Sequence, residues 1–345
     1  MNSNNFVNEY LSVNKIFNHL DRVEELMNTG DILPIMMEID TINSCIHKCP
    51  ACFLSGNRFA DASLSIDFMK NAIDQTSSFL KSIVFTGGGE PLCNTDTIEA
   101  IKYAASKKLS VALITNGELI DKEKAETIVS NCEWVRISID AFTTEEYLKI
   151  HGMDESHLQK VWHNVDLLIE AKKKFLAKCT IGVAYLVNGE NRKNMFSFAE
   201  KARKAGVDYC QFRPFHYSDF DFTDSLLKTK VLEDDKFKVI ASMQRIDKEE
   251  GEFDVCLGDY LRTVLAADGY LYPCCFTRGH KEFRLGNLAK DDFLTIWKSE
   301  KKKEIFKNKL KFPDAPFLRL CKFDYLNKLL WTIKQAKKLK HINFI

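Results

Sequence analysis

No apolar run in the 345 residues reaches the ~20 residues that a membrane-spanning helix needs, so no membrane span is expected. The opening MNSNNFVNEY lacks a basic stretch leading into an apolar core, which sets aside a secretory signal. Net charge is nearly absent as well. The 49 basic and 48 acidic side chains leave +1, which by itself argues neither for nor against nucleic acid, and no nucleic-acid partner is expected. Internal repeats and low-complexity segments are missing, which argues against a solenoid. The glycine-rich stretch Gly87–Gly89 lacks the Lys-Ser/Thr that follows a phosphate-binding P-loop and does not complete a G-x-G-x-x-G dinucleotide pattern. These absences leave a cytoplasmic globular protein as the expectation.

What is present supports a substantial core: 45% of residues are hydrophobic and 28% charged. The length suits one large α/β domain with an appendage, or two ordinary domains. Residues 1–34 read as a short helical leader. Strand-like segments follow at Ile35–Ile42, Ser82–Thr86, Ser110–Thr115, Trp134–Ile139, Thr180–Val187 and Tyr209–Arg213. Segments of helical periodicity separate them, at Ile66–Leu80, Asp96–Lys107, Asp121–Ser130, His157–Phe175 and Arg192–Ala205. Six βα units in succession predict a parallel sheet, curled toward a barrel, over residues 35–215. The rhythm is expected to stop after Arg213, which places a second region at 216–345.

Eleven cysteines, an odd number, call for an explanation other than disulfides in a reducing compartment. Cys45, Cys49 and Cys52 follow the first strand directly, in C-x3-C-x2-C spacing. Three thiolates on one loop can surround an iron–sulfur cubane and leave one iron open to a substrate or cofactor. Structural zinc is the competing reading, with His47 as a candidate ligand, and three unrelated buried thiols the third.

The other strand ends bear on that choice, because functional residues in βα folds gather at the C-terminal ends of strands. The second strand ends in Gly87-Gly88-Gly89-Glu90, the third in Thr115-Asn116-Gly117, and the fourth carries Ser138 and Asp140. The fifth ends at Asn188-Gly189 and the sixth at Gln211 and Arg213. Singly, each reads as a turn or a helix cap. Six in order, led by a cysteine loop, read as one site. The glycines expose backbone for close approach, the Glu90 carboxylate suits an ammonium, and Ser138 with Asp140 suits a ribose.

With the cysteine loop, GGEP at 88–91, TNG at 115–117, the SID of the fourth strand and QFRP at 211–214 in this order, the sequence resembles the radical S-adenosylmethionine (SAM) superfamily over roughly residues 35–215. The resemblance implies a partial (β/α)6 TIM-like barrel. It implies a [4Fe–4S] cluster on Cys45, Cys49 and Cys52 as the catalytic centre, SAM on its open iron, and reductive cleavage of SAM to a 5′-deoxyadenosyl radical. By the same resemblance Gly88, Gly89 and Glu90 hold the methionine end, Asn116 belongs to the cofactor-binding set, Ser138 and Asp140 hold the ribose, and Arg213 assists with a carboxylate. An external electron donor such as flavodoxin or ferredoxin is implied. Where the family often has an aromatic residue before the third cysteine, this chain has Ala51, with Phe53 following.

The later cysteines show C-x12-G-x4-C from Cys256 through Gly269 to Cys274, then Cys275 and Cys321. With LGN at 285–287, IW at 296–297 and CKFDYLN at 321–327, this resembles the SPASM or twitch extension. Its full pattern needs seven cysteines. The four present imply one auxiliary [4Fe–4S] cluster, with Leu318 where a ligand is expected and Cys275 or Asp324 as a substitute. The alternatives are structural zinc and an extension that binds no metal. From Trp297 onward, 14 Lys or Arg face 4 Asp or Glu, and Asp324–His341 reads as a basic helix. Such a helix packs one apolar face on the domain or docks an anionic partner.

The leading functional expectation is oxidation or epimerisation of a small polar substrate such as a sugar or cyclitol. A thiol among Cys93, Cys132, Cys179, Cys210 and Cys275 is a candidate hydrogen donor. Modification of a ribosomally made peptide is the alternative, against which the short leader counts because it leaves little room for a leader-binding domain. A metal-stabilised binding protein without enzymatic activity is the third.

Overall fold

Alternation along Met36–Asp40 decides the architecture: Met37 and Ile39 are fully buried on one face, and Glu38 and Asp40 are buried on the other. The same division recurs on the neighbouring strands. Ile83 and Phe85, Val111 and Leu113, Val135 and Ile137, Ile181 and Val183, and Cys210 with Phe212 join the main apolar core. The intervening positions, among them Ala112, Arg136, Ser138, Gly182, Ala184, Gln211 and Arg213, are small or polar. One face of the sheet therefore packs on helices, and the other carries small and polar side chains.

The structure, a computed structural model, describes residues 10, 12–50, 52, 61–215, 221–241, 253–311, 321, 324–337 and 340. Helix α1 (Leu20–Thr29) precedes seven parallel strands: β1 (Met36–Asp40), β2 (Ser82–Thr86), β3 (Ser110–Thr115), β4 (Trp134–Ser138), β5 (Thr180–Val187), β6 (Tyr209–Pro214) and β7 (Lys238–Ala241). They lie side by side in chain order. The connecting helices are α2 (Ile66–Thr76), α3 (Thr97–Ser106), α4 (Lys122–Asn131), α5 (Thr144–His151), α6 (Glu155–Phe175), α7 (Met195–Ala205) and α8 (Thr223–Lys230). Local chemistry sets their ends. Ser65 and Asp121 cap α2 and α4, Thr143 and Glu146 form a capping box on α5, and Gly206 closes α7 at a φ of 87°.

The expected α/β fold with a mostly parallel, unclosed sheet is borne out, and the six expected strands agree within two residues at each end. One difference stands out. The alternation does not stop after Arg213 but adds α8 and β7. At four residues β7 is too short to declare itself in a pattern.

The C-terminal region returns to the start of the sheet. β8 (Arg262–Leu265) pairs in parallel with β1, and β9 (Tyr270–Tyr272) and β10 (Gly286–Asn287) extend the sheet antiparallel. The ten strands thus run β10-β9-β8-β1-β2-β3-β4-β5-β6-β7. Helices α9 (Phe293–Trp297) and α10 (Glu300–Asn308) follow, with Trp297 donating its indole N–H to Ile32 O at 2.7 Å. The basic helix is observed at Asp324–Ala336, and it packs one apolar face: Leu330 is fully buried in a cluster with Ile16, Val23, Leu26 and Leu257. Leu339 and His341 of the expected helix lie outside the described residues. No helix among the described residues is long and apolar enough to cross a membrane.

Candidate active site

The loop that follows β1 is laced to the glycine run that follows β2. Gly89 donates its N–H to Ile42 O at 2.9 Å, and Glu90 donates to Ser44 O at 3.0 Å. No side chain fits between them: a Cβ at Gly89 would lie 2.0 Å from Ser44 O, and one at Gly88 would lie 2.6 Å from Asn43 Oδ1. The glycines therefore bring backbone against the cysteine loop, a use of glycine that the strand-end position alone does not reveal.

Cys45, Cys49 and Cys52 stand on this loop as half-buried thiols that affect one another electrostatically. Burial pushes the Cys45 thiol up to about 11 and the Cys49 thiol to about 12. Only thiolate ligates, so a metal bound here would take the place of the proton. Among the described residues, one trio of metal-type donors lies within 4.8 Å of one another: His47, Cys49 and His151. Cys45 and Cys52 are not members of that trio. A single zinc ion, with Zn–S near 2.3 Å, would draw its sulfur ligands to about 3.8 Å apart. Ligands on separate irons of a cubane stand farther apart, and three free, half-buried thiols on one loop are the donor type that such a cluster takes.

His47, a candidate zinc ligand in the sequence, is fully buried with its ring nitrogens engaged. Nε2 is 2.8 Å from Glu118 Oε2, and Nδ1 is 3.4 Å from His151 Nδ1. Burial, with His151 alongside, lowers its pKa to about 4 against the pull of Glu118. His151 must donate Nε2–H to Ile139 O at 2.8 Å, which turns its Nδ1 lone pair toward Cys49 Sγ at 3.4 Å. Glu118 also meets His157 Nδ1 at 2.8 Å. Sequence reasoning missed Glu118, His151 and His157. The signal was faint: Glu118 merely follows the TNG turn, and the histidines end α5 and begin α6.

The remaining strand-end residues converge on the same loop. Glu90 is buried, and its carboxylate accepts from Leu92 N at 3.0 Å, Thr115 Oγ1 at 2.5 Å and Asn116 N at 2.7 Å. It thereby ties the end of β3 to the end of β2. Burial raises its pKa while these donors pull the other way. The Asn116 side-chain Nδ2 is buried with no acceptor among the described residues. Asp140 occupies a left-handed φ of 55°, lies within electrostatic reach of Cys49 and meets Arg213 Nη2 at 3.2 Å. Ser138 sits half-buried two residues before it, at the end of β4. Ala51 and Phe53 lie outside the described residues. Glu90→Gln is expected to cost about 1–3 kcal/mol, because the amide must turn its NH2 toward one of these buried donors. Urea denaturation compared with wild type checks this, and an unchanged midpoint would contradict it.

The second cysteine set gathers beyond β8. Cys256, Cys274 and Cys275 are buried, and Cys321 is near enough to Cys256 to influence it. Among them lie three buried charged side chains, Asp259, Arg262 and Lys309. Lys309 Nζ is 3.7 Å from Cys274 Sγ. Asp324, a candidate substitute ligand, pairs with Lys328 at 3.2 Å, and Leu318 lies outside the described residues. Arg278, three residues beyond Cys275, spans the two regions. It donates Nη1–H to both Asp40 oxygens at 2.7 and 2.8 Å, reaches Glu38 at 3.3 Å, and donates Nε–H to Cys275 O at 2.9 Å.

Comparison with known proteins agrees with both halves. The family model "Radical SAM superfamily" matches residues 39–202, and the model "Iron-sulfur cluster-binding domain" matches residues 256–322. The chain is similar to the AdoMet-dependent heme synthase of Methanosarcina barkeri, 24% identical over 79% of this chain and 82% of that protein. It is equally similar, at 24% over 81% of this chain and 74% of that protein, to the mycofactocin maturase MftC of Mycobacterium tuberculosis. The crystal structure of Streptococcus suis SuiB bound to its precursor peptide SuiA shares the fold, with a TM-score of 0.66, 17% identity, and coverage of 99% of this chain and 82% of that one. The expectation of a sugar or cyclitol substrate is overturned here: the relatives include a mycofactocin maturase, and a solved structure of the same fold holds a precursor peptide. Radical SAM and iron–sulfur cluster-binding domains together imply [4Fe–4S] clusters and SAM as cofactors. The chain belongs to the radical SAM superfamily and carries a C-terminal SPASM iron–sulfur cluster-binding domain.

Proposed function

We propose that this chain is a peptide-modifying radical SAM maturase. The observation that carries the reading is similarity to a maturase that runs through both the core and the cluster-binding domain, over 81% of the chain. The specific oxidation or epimerisation of a metabolite expected from the sequence gives way to this reading.

In this proposal Cys45, Cys49 and Cys52 hold the SAM-binding cluster. Bound there and reduced, SAM and cluster supply a hydrogen-abstracting radical. The chain's own groups do the rest. Gly88 and Gly89 offer backbone to the methionine end, and Glu90 fixes their loop to Thr115 and Asn116. The side-chain Nδ2 of Asn116, with Ser138 and Asp140, faces the nucleoside end, and Arg213 holds Asp140 in place. Cys256, Cys274, Cys275 and Cys321 supply the auxiliary cluster. An external one-electron donor of the flavodoxin or ferredoxin kind completes the cycle.

The test is anaerobic reconstitution with iron and sulfide, then incubation with SAM, dithionite and synthetic peptides encoded by short reading frames beside this coding sequence. The expected result is a mass change in one peptide in step with 5′-deoxyadenosine release. Release driven by sugars or porphyrins and by none of the peptides would sink the proposal.

A further inference from the structure

Two buried histidines turn ring nitrogens toward one another beside Cys49. His47 Nδ1 lies 3.4 Å from His151 Nδ1, which in turn lies 3.4 Å from Cys49 Sγ. The outer nitrogens decide what these inner ones carry. His47 Nε2 is 2.8 Å from Glu118 Oε2, and Glu118 also meets His157 Nδ1 at 2.8 Å and Lys160 Nζ at 3.6 Å, surroundings that favour its ionised form. His47 therefore donates Nε2–H outward to a carboxylate, as His151 does to Ile139 O at 2.8 Å. Each neutral ring then presents an Nδ1 lone pair inward. The single S–H of Cys49 can serve one of those nitrogens, not both.

Spacing and surroundings match those of a zinc site. Zinc at about 2.0–2.1 Å from nitrogen and about 2.3 Å from sulfur sets tetrahedral ligands about 3.4 Å apart for two nitrogens and about 3.6 Å apart for nitrogen and sulfur. The three donor atoms here all lie within 4.8 Å of one another. A ligating histidine gives its second N–H to a carboxylate or a backbone carbonyl, and here one ring does each. Tyr147 packs on both rings, with centroids 4.6 Å from His151 and 6.0 Å from His47, which fixes their orientation. Cys49 is half-buried rather than sealed, which gives an ion a way in.

We propose that the cluster-free chain holds one zinc ion on His47 Nδ1, His151 Nδ1 and Cys49 Sγ, with water in the fourth position. Binding breaks the Cys49 S–H bond, forms a Zn–S bond and releases one proton to solvent, with no change of oxidation state. Cys49 serves either this ion or the SAM-binding cluster, so the two metal states exclude each other. Glu118 is a positioning residue, acting through His47. The exclusion rests on Cys49 being a cluster ligand; the zinc site itself is independent of what the enzyme modifies.

The test uses the full chain, purified without oxygen, stripped of metal with a chelator, dialysed against zinc and counted by inductively coupled plasma mass spectrometry. Other thiols take zinc too, so the readout is the difference between variants. Cys49→Ser should hold one zinc fewer per chain than wild type, whereas Cys45→Ser/Cys52→Ser should hold as many as wild type. Zinc lost from Cys45→Ser/Cys52→Ser would mean a site of three thiolates and would overturn the proposal. A wild-type count in Cys49→Ser would overturn it as well, and would leave the cluster reading standing wherever iron reconstitution succeeds. Glu118→Gln should weaken the Cys49-dependent zinc about 10–100-fold, read by competition with a chromogenic chelator. Should Cys49→Ser fail to fold by circular dichroism, His151→Gln decides in its place: one zinc fewer supports, an unchanged count refutes.

Discussion

Gly89→Ala is expected to strip iron from the Cys45–Cys52 loop while every cysteine stays in place. The added methyl would meet backbone, with Ser44 O at 2.0 Å and Asn43 C at 2.8 Å. Ordinary carbon–oxygen contacts need more than an ångström beyond that, and no rotamer change can supply it, because neither atom belongs to a side chain. The loops are also tied directly by the Gly89 N–H to Ile42 O bond and the Glu90 N–H to Ser44 O bond. Relief must therefore separate the cysteine loop from the end of β2 and break the two hydrogen bonds that set the loop's position. Overpacking of this kind costs about 1–3 kcal/mol or more even where side chains can adjust. Cluster retention should suffer more than overall folding, since the strain falls on the loop. Iron should drop from about eight to about four per chain, with deoxyadenosine formation lost. Two controls sharpen the result. At Gly88 the nearest atom is Oδ1 of the Asn43 side chain at 2.6 Å rather than backbone, so Gly88→Ala should lose less iron. At Gly189 a methyl meets nothing within 4 Å, and iron should be unchanged. Full iron and full SAM cleavage in Gly89→Ala would refute this account of the glycine run.

That glycine run shows where the sequence was legible and where it stopped. Position told the reader that Gly87–Glu90 ends a strand beside a cysteine loop, because parallel strands announce themselves through short apolar runs. It did not tell that Gly89 abuts Ser44, which depends on how two loops cross. The partners of His47 are farther off: Glu118 is 71 residues away, and its pairing with a loop histidine exists only after β1 and β3 take their places. Lys309 is harder still. It lies in the lysine-rich stretch KEIFKNKLK, and only the fold buries it against Cys274. Substrate class went astray for a related reason. It depends on the lining of the sheet's polar face, where residues from six strands meet, and no local pattern reports their combined shape.

Arg278→Met should be among the most destabilising single substitutions in the protein, although residue 278 lies 238 positions from the carboxylate it serves. Glu38 and Asp40 point to the same side of β1, two residues apart, and both are buried. Without Arg278, Asp40 loses the cation that bonds both its oxygens and keeps Glu38, a like charge, beside it. Breaking a buried ion pair by removing one partner typically costs about 3–5 kcal/mol, most of it the penalty of the charge left behind. The pH dependence has a definite sign. Burial raises the Asp40 pKa to about 6 even with Arg278 working against the rise, so the folded chain holds the proton more tightly than the unfolded chain does. Stability from this group is complete below the ordinary value of 3.8 and is lost as pH rises through about 6. Loss of Arg278 removes the one cation bonded to both Asp40 oxygens, so the deficit should be larger at pH 8 than at pH 6. Anaerobic urea denaturation of the reconstituted protein at the two pH values reads both the size and the sign. Asp40→Asn added to Arg278→Met should recover a large part of the loss at pH 8, since it removes the stranded charge without restoring the bridge. If Arg278→Met matches wild type at pH 8, or if Asp40→Asn adds to the damage, the bridge is not what fastens the cluster-binding domain to the first strand.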